Sequence, residues 1–225
     1  MPAARGWRGY RLWSAVAVVV VAGLAAAAWF TPVLSVRSVR VDGLAAVPEN
    51  EVIAKLEIPD GRSMLRIDTE AIAGRVATIP KVRSVRVQRS FPSSVRVSVV
   101  ERTPVLYFDS PQGAHLVDSE SVEFAIEPNP PIGIPKLVTE HPAGTDPVTA
   151  AAAKVLVTLP PALLIQVDEV AARSISDVSL TLRDGRQVLW GGTGDNERKA
   201  AVVLPLLTRE GTVFDVSSPN LVTVK

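Results

Sequence analysis

At 225 residues and 24.0 kDa the chain has room for one or two modules, each able to bury a core. Hydrophobic residues at 47%, charged residues at 21% and a mean hydropathy of +0.25 exclude wholesale disorder and predict a local apolar concentration. The absence of cysteine excludes a disulfide scaffold, a thiol nucleophile and cysteine-ligated metal sites, and two histidines, His115 and His141, are too few for a histidine-rich metal centre. No cofactor is expected.

The net charge of +1 is unevenly distributed. Residues 1–36 carry Arg5, Arg8 and Arg11 and no acid, residues 37–102 carry 12 Lys/Arg against 8 Asp/Glu, and residues 103–225 carry 9 against 15. The asymmetry predicts modules with different surfaces. It gives no dominant basic face of the kind nucleic acid binding requires.

Residues 1–11 form a basic tail, and no charge occurs from Leu12 to Val36. The run over 12–31 predicts a transmembrane helix, because about 19 residues rising ~1.5 Å each span the bilayer hydrocarbon. Trp7, Tyr10 and Trp13 at one end and Trp29 and Phe30 at the other suit the two interfaces, and Pro32 lies just beyond. The three arginines ahead of the run place the N-terminus in the cytoplasm and the bulk of the chain outside it. A cleaved signal peptide is the competing reading, since Ala25–Ala28 offer small residues. The apolar run is longer than a typical signal core, and bulky Trp29 and Phe30 follow the alanines directly.

Residues 36–104 predict a β-α-α-β-β module. The string VRSVRV occurs at 36–41 and again at 82–87, but the flanks differ, so the match reflects two strands of one type and no duplication. Val39/Val41, Val85/Val87 and Val95/Val97/Val99 alternate against Arg40, Arg86 and Arg96, the pattern of a sheet buried on one face. Pro48 suits a first helical position, and Val52, Ile53 and Leu56 supply an apolar side to a helix ending near Ile58-Pro59-Asp60-Gly61. Asp68 suits an N-cap flanked by the Ile67/Ile72 staple, with Val76 and Ile79 continuing the helix until Pro80. The arginines at 37, 40, 83, 86 and 96 fit either a solvated sheet face or a site for an acidic partner or anionic lipid, and the sequence leaves both open.

These residues carry a resemblance. A short cytoplasmic tail, one membrane helix and a β-α-α-β-β module resemble the bacterial cell-division FtsQ/DivIB family, whose membrane-proximal domain is a POTRA domain. The matching pieces are Val39–Gly43 (VRVDG), Gly61–Asp68 (GRSMLRID), Ile79-Pro80-Lys81-Val82, Phe91-Pro92 and Val100-Glu101-Arg102-Thr103-Pro104, the last similar to the family's V-E-R-x-P signature.

Residues 105–225 predict a distal, mostly antiparallel β domain with flanking helices, so the fold class is α+β. Short strands are expected at Val105–Phe108, Leu116–Asp118 and Val122–Ala125. Six prolines over 126–147 predict an extended loop. Asp146-Pro147 opens a helix carrying Val148, Ala152, Val155 and Leu159, and Pro160-Pro161 ends it. Ser176–Leu182 and Gln187–Trp190 form a hairpin around Asp184-Gly185, a pair that type I′ turns favour. Asp195 or Asn196 is expected to cap a last helix through Ala200, Val203, Leu204 and Leu207, with Pro205 kinking or splitting it. Thr212–Val216 and Leu221–Val224 make two final strands. Leu182–Gly191, Lys199 and Phe214–Pro219 resemble the family's distal β domain, with Pro205 a departure from it.

Catalytic chemistry is not evident. Gly191-Gly192-Thr193-Gly194 fits no phosphate-binding loop. His115 and His141 lie in separate segments, and no serine stands in a G-x-S-x-G setting to partner them. Asp118 and Glu120 need only solvent, while Asp68 and Asp184 have capping and turn duties.

The resemblance implies a non-enzymatic, single-pass scaffold of the plasma membrane, concentrated at the division septum and linking other division proteins to septal peptidoglycan synthesis. The implied partners are small bitopic proteins of the FtsB/DivIC and FtsL type and the septal peptidoglycan synthase, with inner-membrane lipid around the anchor and no nucleic acid. An edge strand offers unpaired N–H and C=O groups to which a partner segment can add itself. The resemblance places that contact at the distal end of the β domain, here on Phe214, Asp215, Val216, Ser217, Asn220, Leu221, Val222, Thr223 and Val224. Phe214, Leu221 and Thr223 would supply selectivity. Two rival readings need features the sequence lacks. An anchored envelope enzyme or peptidoglycan-binding module needs converging acids, and a POTRA-bearing assembly factor needs a β-barrel or further POTRA repeats.

Overall fold

The computed structural model describes residues 13–23, 34–59 and 61–225. The basic tail, the two ends of the 12–31 run with Trp7, Tyr10, Trp29, Phe30 and Pro32, and Asp60 lie outside the described residues. Residues 13–23 form a helix, α1, whose residues are all exposed. Among the described residues no helix is long and apolar enough to cross a membrane. The chain divides into two compact units between Glu101 and Arg102.

In the first unit, strands β1 (Ser38–Asp42), β2 (Val82–Ser90) and β3 (Ser94–Glu101) form a sheet of order β1-β3-β2. β1 runs parallel to β3 and β2 antiparallel to it. Helices α2 (Glu49–Leu56) and α3 (Thr69–Val76) supply Val52, Leu56, Ile72 and Val76, which share one core with Val95, Val97 and Val99. The alternation expected of the valines is observed, and Arg40, Arg86 and Arg96 are exposed. Asp68 caps α3, accepting from Glu70 N at 3.1 Å and Ala71 N at 3.0 Å, with Ile67 and Ile72 buried beside it.

Two details of α2 differ from expectation. Pro48 occupies the N-cap, not the first helical position. Ile53 is 49% exposed, because at one residue past Val52 it turns about 100° off the buried stripe. A 3₁₀ turn at Met64–Arg66, capped by Ser63, lies between the two helices.

The second unit is built on a nine-stranded mixed sheet of order β12-β11-β10-β9-β8-β7-β4-β5-β6. The strands are β4 (Pro104–Ser110), β5 (Gly113–Asp118), β6 (Glu123–Glu127), β7 (Lys136–Val138), β8 (Val167–Ser174), β9 (Asp177–Leu182), β10 (Gln187–Gly191), β11 (Val213–Asp215) and β12 (Thr223–Val224). The β10/β11, β4/β7 and β7/β8 pairs are parallel and the other neighbours antiparallel. Helices α4 (Pro147–Thr158), α5 (Pro161–Leu164) and α6 (Asn196–Leu206) complete it. Leu156 and Val203 share the core with Leu106, Leu180, Trp190 and Phe214. Asp146 caps α4, accepting from Val148 N and Thr149 N at 2.9 Å each.

The proline-rich stretch is more than the extended loop its composition predicts. It holds β7, which pairs with both β4 and β8 in the interior of the sheet. Its prolines flank the strand and do not occupy it, and the Pro135 carbonyl accepts from Tyr107 N at 3.1 Å. β8 carries no simple alternation either. Its buried residues fall at Val167, Val170 and Ala172, since register shifts at both ends break the period of two. The Asp184-Gly185 hairpin is not a type I′ turn. Gly185 has φ +87 and Asp184 is not in the left-handed region, so Arg183-Asp184-Gly185 is a three-residue loop with glycine at its left-handed position.

In α6 the expected cap is absent. Asp195 stands at the N-cap with φ 54 and makes no side-chain capping bond. Asn196 faces inward and accepts from Trp190 Nε1 at 2.8 Å. Pro205 does not split the helix. It lies in the last turn, where losing one amide donor leaves the preceding turns intact.

Candidate functional site

Among the described residues, the last two strands of the second unit form one edge of its sheet. β11 continues the sheet beside β10, and Val216 N donates to Leu189 O at 3.0 Å. β12 then pairs antiparallel with β11, with Phe214 opposite Val224 and Asp215 opposite Thr223. Lys225 and Val213 exchange both backbone hydrogen bonds, Lys225 N to Val213 O at 2.9 Å and Val213 N to Lys225 O at 3.0 Å. Antiparallel pairs alternate between bonded and non-bonded positions, so the neighbouring Phe214/Val224 pair is non-bonded. The N–H and C=O of Val224 therefore point away from β11, along the outer edge of the sheet.

The predicted residues divide by the period of two. Phe214 and Val216 are fully buried and belong to the core, so neither is available to a partner and Phe214 cannot supply selectivity. Val222 and Val224 pack half-buried against the same core. Thr223, Ser217 and Asn220 are exposed, Asp215 is half-buried, and Leu221 is 75% exposed. Asp215 Oδ1 accepts from Ser217 N at 2.9 Å, which shapes the loop between the strands.

Behind the edge lies a polar framework that sequence reasoning missed. Arg186 donates through Nη1 to Leu207 O at 2.7 Å, lies 5.6 Å from the centre of the Phe214 ring and pairs with Asp184 at 2.7 Å. One side chain thus ties the β9–β10 hairpin to the end of α6 and covers the anchor of β11. No local pattern announces this, since Arg186 and Leu207 meet only through the fold. Lys199 is buried and donates to Gly192 O at 2.7 Å. Burial pushes its ammonium below the ordinary lysine range, and nearby Asp195 works in the opposite sense.

Gly211 sets how closely β12 can approach. Its φ is +151, and a Cβ there would meet Val224 Cγ1 at 2.3 Å and the Lys225 carbonyl at 3.1 Å. Gly211→Ala is therefore expected to loosen β12 by about 1–3 kcal/mol. Hydrogen exchange checks this: the amides of Val213 and Lys225, which bond across the pair, should exchange faster while those of β9 and β10 stay protected.

Two other polar groups owe their partners to the fold. His115 is a satisfied histidine, and its serine stands in no G-x-S-x-G setting: Nε2 lies 2.7 Å from Ser110 Oγ and Nδ1 lies 2.6 Å from Glu123 Oε1, with the ring stacked on Phe108 at 4.8 Å. Ser110 Oγ is also engaged by Gln112, at 2.7 Å to Oε1 and 3.0 Å from the backbone N, so the group closes the β4–β5 hairpin. Asp118 is 1% exposed and ion-paired with Arg102, so it needs far more than solvent. Among the described residues no group of three or more acids and histidines is placed to hold a metal ion.

A family model described as "POTRA domain, FtsQ-type" matches residues 34–102. "Cell division protein FtsQ" of Mycobacterium tuberculosis (strain H37Rv) is 44% identical over 227 residues, covering 100% of this chain and 72% of that protein. The chain belongs to the FtsQ cell-division family. The protein of the same name from Mycolicibacterium smegmatis is 44% identical over 214 residues, 95% of this chain. That from Corynebacterium glutamicum is 31% identical over 212 residues, 93% of this chain and 95% of its own length. The chain spans 64% of the M. smegmatis protein and 66% of its Mycobacteroides abscessus counterpart. The FtsQ-type POTRA match falls on the β1-α2-α3-β2-β3 unit.

Proposed function

We propose that the chain is a non-enzymatic scaffold of the division septum. It is held in the plasma membrane by the apolar segment over 12–31, with its N-terminus in the cytoplasm and both folded units outside. Small bitopic division proteins of the FtsB/DivIC and FtsL type bind by adding a strand to β12, which links the chain to the septal peptidoglycan synthase. The observation that carries this reading is the outward direction of the Val224 backbone on the strand that ends the sheet among the described residues. Thr223 and Leu221, exposed beside it, contribute selectivity, while Phe214 and Val216 hold β11 in place from beneath. Backbone pairing supplies most of such an affinity, so side-chain substitutions along the edge have graded effects. For the anchor, the supporting observation is that α1 exposes apolar residues on every side, including Val18 at 67% and Val19 at 70%. A helix apolar all round has no stable place in water.

A photocrosslinking scan of the full-length chain in growing cells, from Thr212 to Lys225, tests the edge. Capture of a small bitopic division protein is expected at alternate positions, as a paired strand requires. Uniform silence across the stretch, with the chain still at septa, would remove strand addition.

A further inference from the structure

The end of the POTRA unit at which the chain comes in from the apolar segment gathers both apolar and cationic side chains. Ser35 bridges to Ser63, Val36 N donates to Arg62 O at 2.9 Å, and Arg37 N donates to Ser93 O at 2.8 Å. These contacts bring the β2–β3 turn and the 3₁₀ segment to the start of β1. Arg89 donates to Ile67 O and closes the group. Two large apolar side chains stay exposed here, Leu65 at 41% and Phe91 at 58%, on segments that also carry the exposed Arg62 and Arg89. Of the acids described on these segments, Asp68 caps α3 and Glu57 pairs with Arg75 at 3.4 Å. A guanidinium has five donors, so an arginine already bonded to backbone keeps others for a phosphate.

We propose that this end of the unit docks on the bilayer surface, with Phe91 and Leu65 entering the interfacial layer and the arginines contacting anionic lipid phosphates. The inference rests on the membrane anchor proposed above. A span ending near residue 31 leaves four Cα steps to Ser35, at most about 14 Å of chain. The headgroup layer is itself about 5–8 Å deep and the Debye length about 8 Å, so the tether holds these arginines within range of lipid charge. Exposed apolar groups inside a basic collar match a surface that is apolar within and anionic at its rim.

Because the chain has no cysteine, single spin labels report this end without background. Phe91→Cys, Leu65→Cys and, as a control in the second unit, Ile175→Cys are placed in the full-length chain. The labelled chains are reconstituted in vesicles of phosphatidylcholine alone or with phosphatidylglycerol. Collision of the labels with a water-soluble nickel chelate is measured against oxygen. With phosphatidylglycerol, positions 91 and 65 are expected to lose nickel access several-fold relative to 175, and to regain it at high salt or in Arg62→Gln/Arg89→Gln. Labels at 91 and 65 as accessible as that at 175 in both vesicles would overturn the proposal, as would protection indifferent to lipid charge and salt. Carbonate extraction of the same vesicles tests the anchor separately. A retained chain with water-exposed labels defeats surface docking alone, an extracted chain with lipid-protected labels defeats the anchor alone, and failure of both readouts defeats both.

Discussion

Asp118→Ala is expected to cost the second unit about 3 kcal/mol, the low end of what breaking a buried ion pair costs. Arg102 sends Nη1 to Asp118 Oδ2, and the two side chains are 15% and 2% exposed. Truncating Asp118 leaves a largely buried guanidinium whose remaining acidic partner among the described residues is Glu120, 3.3 Å away and half-exposed. That residual partner is why the estimate stays low in its range. Arg102 Nε, buried, has no hydrogen-bond partner among the described residues, so the guanidinium already carries a desolvation cost. Asp118 Oδ1 also accepts from Glu120 N at 2.9 Å and Val122 N at 2.8 Å, closing the turn into β6. Asp118→Asn keeps an acceptor for those amides but removes the charge, so the two variants separate the turn from the ion pair. Urea unfolding of the full-length chain, with hydrogen exchange resolving β4–β6, measures both. An Asp118→Asn variant as stable as the parent would show that the ion pair contributes nothing.

The neighbouring residue has the second large effect, in the first unit. Glu101 receives Ala45 N at 2.8 Å, Ala46 N at 2.9 Å and Val47 N at 2.9 Å, a three-amide cradle that fixes the loop leading to buried Val47 and α2. Burial alone would raise its pKa, but the three amides and Lys81 outweigh that and hold it below the ordinary 4.5. Hydrogen bonds to a charged group contribute about 1.5–3 kcal/mol, and partial exposure places Glu101→Ala near 2. The sign of the pH effect follows. A carboxylate with a lowered folded pKa stabilises fully above its unfolded value and loses that contribution as pH falls through the folded one. Stability of the first unit should therefore drop below about pH 4.5, and the gap between parent and Glu101→Gln should narrow over the same range. Urea midpoints from pH 7 down to pH 3 read this directly. A gap constant over that range would assign the effect to shape and not to charge.

These two residues give the V-E-R-x-P string a physical meaning. Consecutive side chains on an extended chain point in opposite directions. Glu101 fastens a loop of the first unit and Arg102 pairs with a buried acid of the second, each by a charge whose partner lies elsewhere in sequence. A motif read as a family signature is here two independent anchoring contacts.

Much of this was available from local pattern, and the division follows a rule. The valine alternations of β1, β2 and β3, the Asp68 and Asp146 caps and the helix at Pro147 depend on residues within a turn or two of each other. For such features sequence spacing is spatial spacing. The exceptions arose where distant partners decide. β7 is a strand because β4 and β8 flank it, and nothing in Lys136–Val138 alone distinguishes it from loop. Asn196 abandons the cap for Trp190, since a buried indole N–H without an acceptor costs more than an open helix end in water. At the candidate edge, position along the chain located the last two strands, but only the pairing of Phe214 with Val224 decided which groups face out. Contiguous residues carry the family, the β-α-α-β-β order and the uncharged segment, so each is legible without the fold. Tertiary structure alone decided that Phe214 and Val216 are core, that Val224 turns its backbone outward and that Asp118 is buried, because strand register and burial are set by residues far away in the chain.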